Sequence, residues 1–532
     1  MSEADDKLFR LISALDKYEK GFVKKYAALH AKEDANSKRL FDIYNSFKEY
    51  DREKIDRLLQ KEKFHNHIHK SKNYLSSLIL KALRIYYAEK KTKNRIKAML
   101  LDAEILKDKK LFKEAAYTLN KAKKEAIRLE MYRTLIDICA LEITIVPNFC
   151  IDINKYMELE NANIAESSKF EKMEKDLSFL NALLPKVSFE MRMIYKKPKV
   201  EIQENINALL SSNQFQEAVS HDTYAFNTFK RHFIIYNAYI EEDYSTFKNE
   251  GLQFTKHISD PTKNFFFSSD SQLAFLNNLA NRALSIYSHD LFKSCFSEIE
   301  KIKLSIEDKN ERAYLLSVSI CTYLNCYYFF QSGQFEKGLT LCTKRIQEEL
   351  LPDDGINDNL SVLYFYYGAF QFCTGKYSEA IKSMNAIELY TNQHEDPIRK
   401  SESYLIRILS HIELNNTESA LYIAKQYASF LEKEQFNYQE RKLLLRIIHE
   451  NPEKGKKEIV SLLNEQLENN IEKRDFCMTQ PLINIRIWCF CHLHDISPDK
   501  VYSFHFESMN KNPFATLSPK DYSHFSSGQN LK

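Results

Sequence analysis

Two clusters in this 532-residue chain carry residue types that bind metals. The first is His65-Asn66-His67-Ile68-His69. Alternate histidines would share one face of a strand, but a helix begins here, where they diverge. Only His65 and His69 remain placed to share an ion, and a solvated or helix-capping cluster is the plainer reading. The second cluster is Cys489-Phe490-Cys491-His492-Leu493-His494, with Cys477 nearby. On a helix Cys491 pairs with His494 and Cys489 with His492, never all four, and adjacent Trp488 and Phe490 mark a core helix where free cysteine is common. Gly333-Gln334-Phe335-Glu336-Lys337-Gly338 imitates the spacing of a phosphate loop. Leu339 stands where a lysine would reach phosphates, and no apolar strand precedes it. The chain has no nucleophile elbow, metalloprotease pair or kinase set of motifs, and no carboxylate pair stands out for acid–base work. These residues predict a protein that is not an enzyme and needs no cofactor and no metal.

The elements that position such residues follow from composition. Hydrophobic residues make up 44% and charged residues 28%, the balance of a folded chain, and 36 Phe and 31 Tyr must bury large areas. With nine glycines and eleven prolines the chain is too poor in turn formers for a sheet protein or a nucleotide-loop enzyme, so the expected class is all-α. The N-terminal residues lack an apolar signal region, and the most apolar stretch, Val362 to Cys373, is too short to span a bilayer. Ten cysteines lie scattered singly, as reduced buried thiols do. The expectation is a cytoplasmic protein without a membrane partner. The net charge of +3 hides an asymmetry: residues 1–130 carry 32 Lys and Arg against 20 Asp and Glu, a net of +12, leaving −9 for the rest. A basic end can face an acidic partner, although charged helix faces give the same count.

One short pattern recurs: a small or polar residue, any residue, an aromatic, two residues, a small residue, an aliphatic. It reads Gly375-Lys376-Tyr377-Ser378-Glu379-Ala380-Ile381 and Gly333-Gln334-Phe335-Glu336-Lys337-Gly338-Leu339. Weaker copies begin at Asn213 and Asn415, and looser ones at Lys110, Glu242 and Asp290. Phe292, Phe335, Tyr377 and Thr417 are 43, 42 and 40 residues apart, a period that means stacked helical hairpins. The Gly or Asn would end one helix in a left-handed C-cap, the aromatic would pack the turn, and the small residue would let the second helix approach.

The stretch Tyr364-Phe365-Tyr366-Tyr367-Gly368-Ala369-Phe370-Gln371-Phe372-Cys373-Thr374-Gly375-Lys376-Tyr377-Ser378-Glu379-Ala380-Ile381 resembles the tetratricopeptide repeat (TPR) family. It has an aromatic at the first-helix anchor, a helix-packing glycine at Gly368, and the turn signature. Cys326 and Ile408 replace that glycine in other copies, and the period exceeds the family's usual ~34 residues. The chain as a whole also resembles large bacterial repeat proteins of no known activity. The resemblance implies an α-solenoid, a TPR-like superhelix of about six to nine stacked hairpins. Its parts would be a basic helical domain over 1–92, the solenoid over 93–435, a helical C-terminal cap over 436–512, and a flexible tail over 513–532. It further implies a concave groove for a peptide or partner helix, lined by Ile320, Tyr323, Tyr327, Phe330 and Gln331, then by Val362, Phe365, Ala369, Phe372 and Cys373. The same aromatics read equally well as core. Family members that grip a C-terminal carboxylate use Lys and Asn at two of these positions; Tyr323 and Tyr327, or Phe365 and Ala369, stand there instead, which argues against such a clamp.

Outside the repeats, residues 151–185 read as one extended helix with Ile164, Met173, Leu177, Leu180 and Leu183 inward, and Pro185 and Pro198 bracket an irregular return. Residues 1–90 read as four or five helices. Asp51 caps a short helix, a break follows at Gln60–His65, and a longer helix has Lys61, Lys63, Lys70, Lys72 and Asn73 near its start. That outline resembles a helix-turn-helix, as does any three-helix cap. The favoured function is a protein-interaction scaffold; the alternative is a regulator binding DNA through residues 1–90 and sensing a signal in the repeats.

Overall fold

A chain with so few glycines must turn its backbone with other residues, and it does so by one device. Left-handed φ values occur at Gly333 and Gly375, and also at Lys110, Glu130, Glu242, Tyr287, Asn415, Gln435 and Asp495. Each follows a helix, and all but Glu242 and Asp495 close it with the same pair of hydrogen bonds. At Gly333 the amide of Gln334 donates to the carbonyl of Phe329 at 2.8 Å and that of Gly333 to Phe330 at 3.2 Å. At Asn415 the equivalent bonds run from Asn416 to His411 and from Asn415 to Ile412. This is the Schellman pattern, which satisfies carbonyls that a helix end would otherwise leave without donors. The expected left-handed cap is thus present at the first residue of the copies at Lys110, Glu242, Gly333, Gly375 and Asn415. Two copies differ. Asn213 opens a helix capped by the Ser212 hydroxyl, and the copy at Asp290 has its left-handed residue three positions earlier, at Tyr287.

The computed structural model describes residues 7–30, 35–47, 50–90, 92–148, 150, 152–193, 197–263, 266–307, 312–348, 357–390, 397–436, 438–469 and 482–511. Among them the structure is all-helical, with no strand. The tail expected over 513–532 lies outside the described residues. The chain forms two units, Met1–Lys175 and Asp176–Lys532, and the division falls inside helix Ile153–Arg192, within the stretch read as repeats. That helix runs through Pro185, so the break expected there is absent; the proline costs a backbone bond without ending the helix. Met173, Leu180 and Leu183 are buried as expected, whereas Ile164 is exposed.

In the first unit, helices Lys7–Ser13, Lys17–His30, Ala35–Asn45, Arg52–Leu59 and Ile68–Lys90 gather Leu8, Ile12, Leu40, Phe41, Tyr44, Ile55, Leu59, Leu75, Ile79 and Ala82 into one core. Asp51 caps Arg52–Leu59 by accepting from the amide of Lys54. Helix Phe112–Arg128 buries Ala115, Leu119, Ala122 and Ala126, a stripe at helical spacing, against Thr92–Asp108 and Tyr132–Ile145.

In the second unit, six helix pairs follow one another among the described residues: Tyr224–Ile240 with Tyr244–Ile258, Ser269–Ser285 with His289–Ser305, Arg312–Gln331 with Phe335–Gln347, Asn357–Cys373 with Tyr377–Tyr390, Pro397–Glu413 with Thr417–Lys433, and Gln439–Glu450 with Lys456–Asn469. Each second helix packs on the following first helix, and the first helices of the second to fifth pairs pack on one another in turn. Gly368 is a contact position: a Cβ there would lie 2.5 Å from the Met384 methyl and 3.1 Å from Ser383. Helices Ile485–His494 and Pro498–Lys511 complete the unit.

Candidate partner-binding groove

The groove residues expected on helix Arg312–Gln331 divide into two groups. Tyr323 and Tyr327 are half-buried, and Tyr323 meets Tyr366 edge-on at 5.8 Å. Phe330 is 1% exposed, between Phe335 at 5.3 Å, Phe370 at 5.7 Å and Tyr502 at 5.4 Å. Gln331 is buried and donates from Nε2 to the carbonyl of Leu284 at 3.0 Å. On helix Asn357–Cys373, Phe365, Ala369 and Phe372 are buried, Phe372 against Tyr377. Phe330, Gln331, Phe365 and Phe372 are therefore core side chains rather than an open groove lining.

What covers part of this surface is the chain's own C-terminal segment. The amide of Ile483 donates to Glu402 at 3.4 Å. Trp488 Nε1 and His492 Nε2 both reach Glu413 Oε1, at 2.7 and 2.5 Å, while Lys456 Nζ holds Oε2 at 3.1 Å. Tyr502 stands edge-on to Phe330 and Phe335, and Phe506 packs on Tyr287, His289 and Tyr328. As the segment advances from 483 to 506, its contacts step back through the hairpins, from 402 and 413 to 330 and then 287. Of the stretch read as a C-terminal cap over 436–512, residues 439–469 form the sixth helix pair, and residues 482–511 lie against the earlier pairs.

Electrostatics hold its start. Glu402 and Arg441 are 3% and 4% exposed and form a close ion pair. Arg441 Nη1 also donates to Ser401 Oγ at 2.7 Å and to Tyr427 Oη at 2.8 Å. Charges this deep require such complete pairing. Burial pushes Glu413 up, but the hydrogen bonds from His492 and Trp488, with help from Lys456, outweigh it and hold the carboxyl below its ordinary value.

The metal-like clusters do not converge. Cys489 and Cys491 are buried thiols that burial pushes up to about 12, His492 is engaged by Glu413, and His494 lies against Phe490. His65 and His67 sit on a short 3-10 turn, His69 lies in the first turn of the next helix, and all three face solvent. Among the described residues no group of three or more His, Cys, Asp or Glu is arranged to hold a metal. A cleft of about 400 Å³ in the first unit is lined by Leu119, Lys123, Glu142 and Ile145. Lys123 is clamped there by Glu142 at 2.7 Å and Glu166 at 2.6 Å. Burial pulls its pKa down, the two carboxylates outweigh it, and the ammonium stays protonated and non-nucleophilic.

Sequence reasoning missed a half-exposed row one helical step from the expected lining: Thr322 and Asn325, Tyr364 and Tyr367, then Tyr404, Arg407 and His411. Aligning the three helices on Cys326, Gly368 and Ile408 places these residues at equivalent positions, which was a signal present in the sequence. No helix among the described residues is long and apolar enough to cross a membrane. No protein-family model matches the chain, and neither a curated protein nor a solved structure was found to match it.

Proposed function

We propose that this chain is a non-catalytic, TPR-like scaffold whose hairpins form a solenoid that holds an amphipathic helix of a protein partner. One observation carries the reading: the hairpins already hold such a helix, their own. Helix Pro498–Lys511 lays Tyr502 on Phe330 and Phe335 of one hairpin and Phe506 on Tyr287 in the turn of the hairpin before it, and Ser503 bonds a turn carbonyl. Apolar anchors one turn apart on a helix are the means by which helix-in-groove recognition works. A partner helix of the same character would take this place when the segment lifts, and the half-exposed row at Tyr364, Tyr367 and Tyr404 offers further aromatic contact.

The test uses the full chain carrying Trp488→Ala and Tyr502→Ala, which removes two anchors of the segment and leaves every hairpin residue unsubstituted; circular dichroism checks that the hairpins stay folded. Hydrogen exchange over residues 485–511 reports the release. A labelled peptide of residues 485–511 should then bind the variant at least about tenfold more tightly than it binds the wild type, because the competing intramolecular helix is weakened. Released segment with no peptide binding would sink the helix-holding reading.

A further inference from the structure

We infer that the exposed face of helix Ile68–Lys90 binds duplex DNA. Leu75, Leu78, Ile79 and Ala82 fasten one side of this helix into the first unit's core. The opposite side presents Lys70, Asn73, Ser77, Lys81 and Arg84 to solvent, at the 3- and 4-residue steps that keep one face. None of Lys70, Asn73, Lys81 and Arg84 has a side-chain partner among the described residues.

The charge is one-sided. From Lys63 to Ala88 the chain contains no Asp or Glu. The acids just before it are already neutralised: Asp51 by Lys54 at 2.8 Å, Glu53 by Arg57 at 3.3 Å, Asp56 by Arg52 at 3.7 Å, and Glu62 by Arg39 at 2.7 Å. An uncompensated basic stripe on a rigid helix asks for a polyanion. From Lys70 to Arg84 the stripe is about 21 Å long at 1.5 Å per residue, the span of about six base pairs. The major groove admits one helix, where Lys and Arg bond guanine or phosphate and Asn bonds adenine.

Other polyanions fit less well. Single strands are held by stacking bases on aromatic platforms, and the aromatic exposed on this face is Tyr74, 47% exposed. A lipid surface would need a continuous apolar strip, whereas here the exposed Leu80 and Ile85 only flank a polar centre. The preceding helix Arg52–Leu59 and the turn that follows it supply the remaining part of a helix-turn-helix outline, with Lys63 exposed in the turn.

Fluorescence anisotropy of the full chain with a random-sequence duplex of about 30 base pairs tests this at salt from about 50 to 200 mM. Lys70→Glu with Lys81→Glu and Arg84→Glu should raise Kd at least about tenfold and flatten the salt slope by roughly two to three. A charge-matched control, Lys113→Glu with Lys121→Glu and Lys124→Glu, should shift Kd far less. The glutamine versions of the first set, with circular dichroism on every variant, separate lost contacts from lost folding. The inference fails if the wild type does not bind, if both charge-reversed sets weaken binding equally, or if single-stranded RNA or phosphatidylserine vesicles bind more tightly than the duplex.

Discussion

Ser503 Oγ donates to the carbonyl of Ser332 at 2.8 Å, across 171 residues of chain. The next residue, Gly333, is left-handed at φ +70, and a Cβ there would lie 2.3 Å from the carbonyl of Asp499. One glycine thus serves two purposes: it ends a helix and lets the C-terminal segment touch the turn. The backbone reason could be met by asparagine, as at Asn415; the contact could not.

The turns separate these two reasons experimentally. Gly375 has φ +77 with nothing within 4 Å of a would-be Cβ, so Gly375→Ala should cost about 1–2 kcal/mol from conformation alone. Gly333→Ala should cost more and raise hydrogen exchange over residues 498–511. Conversely Lys110, exposed and left-handed at φ 62, should become more stable by about 1 kcal/mol as Lys110→Gly. Urea unfolding of the three variants measures each, and equal losses at both glycines would contradict the contact argument.

Arg441→Met strands Glu402 in the interior and should destabilise by about 3–5 kcal/mol. Glu402→Leu combined with Arg441→Met should recover much of that loss, since two apolar residues need no pairing. Chemical denaturation of the single and double variants gives the cycle. If the double variant is as unstable as Arg441→Met alone, the ion pair is not the cause.

His232 is fully buried, and burial, aided by the Arg282 charge, lowers its pKa to about 3. Below the ordinary 6.5 the unfolded chain takes a proton that the buried ring refuses. Its contribution is complete above that value and is lost as pH falls from 6.5 towards 3, by at most about 1.4 kcal/mol per pH unit. His232→Phe should flatten that part of the stability profile, read as urea midpoints at successive pH values. An unchanged slope would place the proton uptake elsewhere.

Cys489 and Cys491 should resist alkylation in the native protein and react once urea unfolds it, because burial keeps both as thiols. Peptide mass spectrometry after iodoacetamide treatment reads this out. Rapid native labelling of either, or one zinc per chain in elemental analysis, would mean that the helix Ile485–His494 opens or coordinates metal.

Local rules made most helices and several turns readable in advance. Scarce glycine, apolar spacing and the Gly or Asn at the start of each pattern led to hairpins that turn at Gly333, Gly375 and Asn415, because a left-handed cap depends on a few neighbouring residues. The same rules failed where a neighbour competed. Ser212 offers a hydroxyl to the amide of Phe215 and starts a helix one residue before Asn213 would have ended one. Tyr287 bears a left-handed turn that its residue type does not advertise, with Phe506 packed against its ring.

What the sequence by itself determined is the class of structure, all-helical and built of hairpins, since composition and spacing act over one or two turns. Only the tertiary structure decided which aromatic residues are accessible. Phe330 stands on the same helical row whether or not anything covers it, and its burial depends in part on a partner far away in sequence. Tyr502 reaches Phe330 from the other end of the unit, and Glu402 awaits Ile483. Burial is a property of two surfaces, and periodicity describes only one of them.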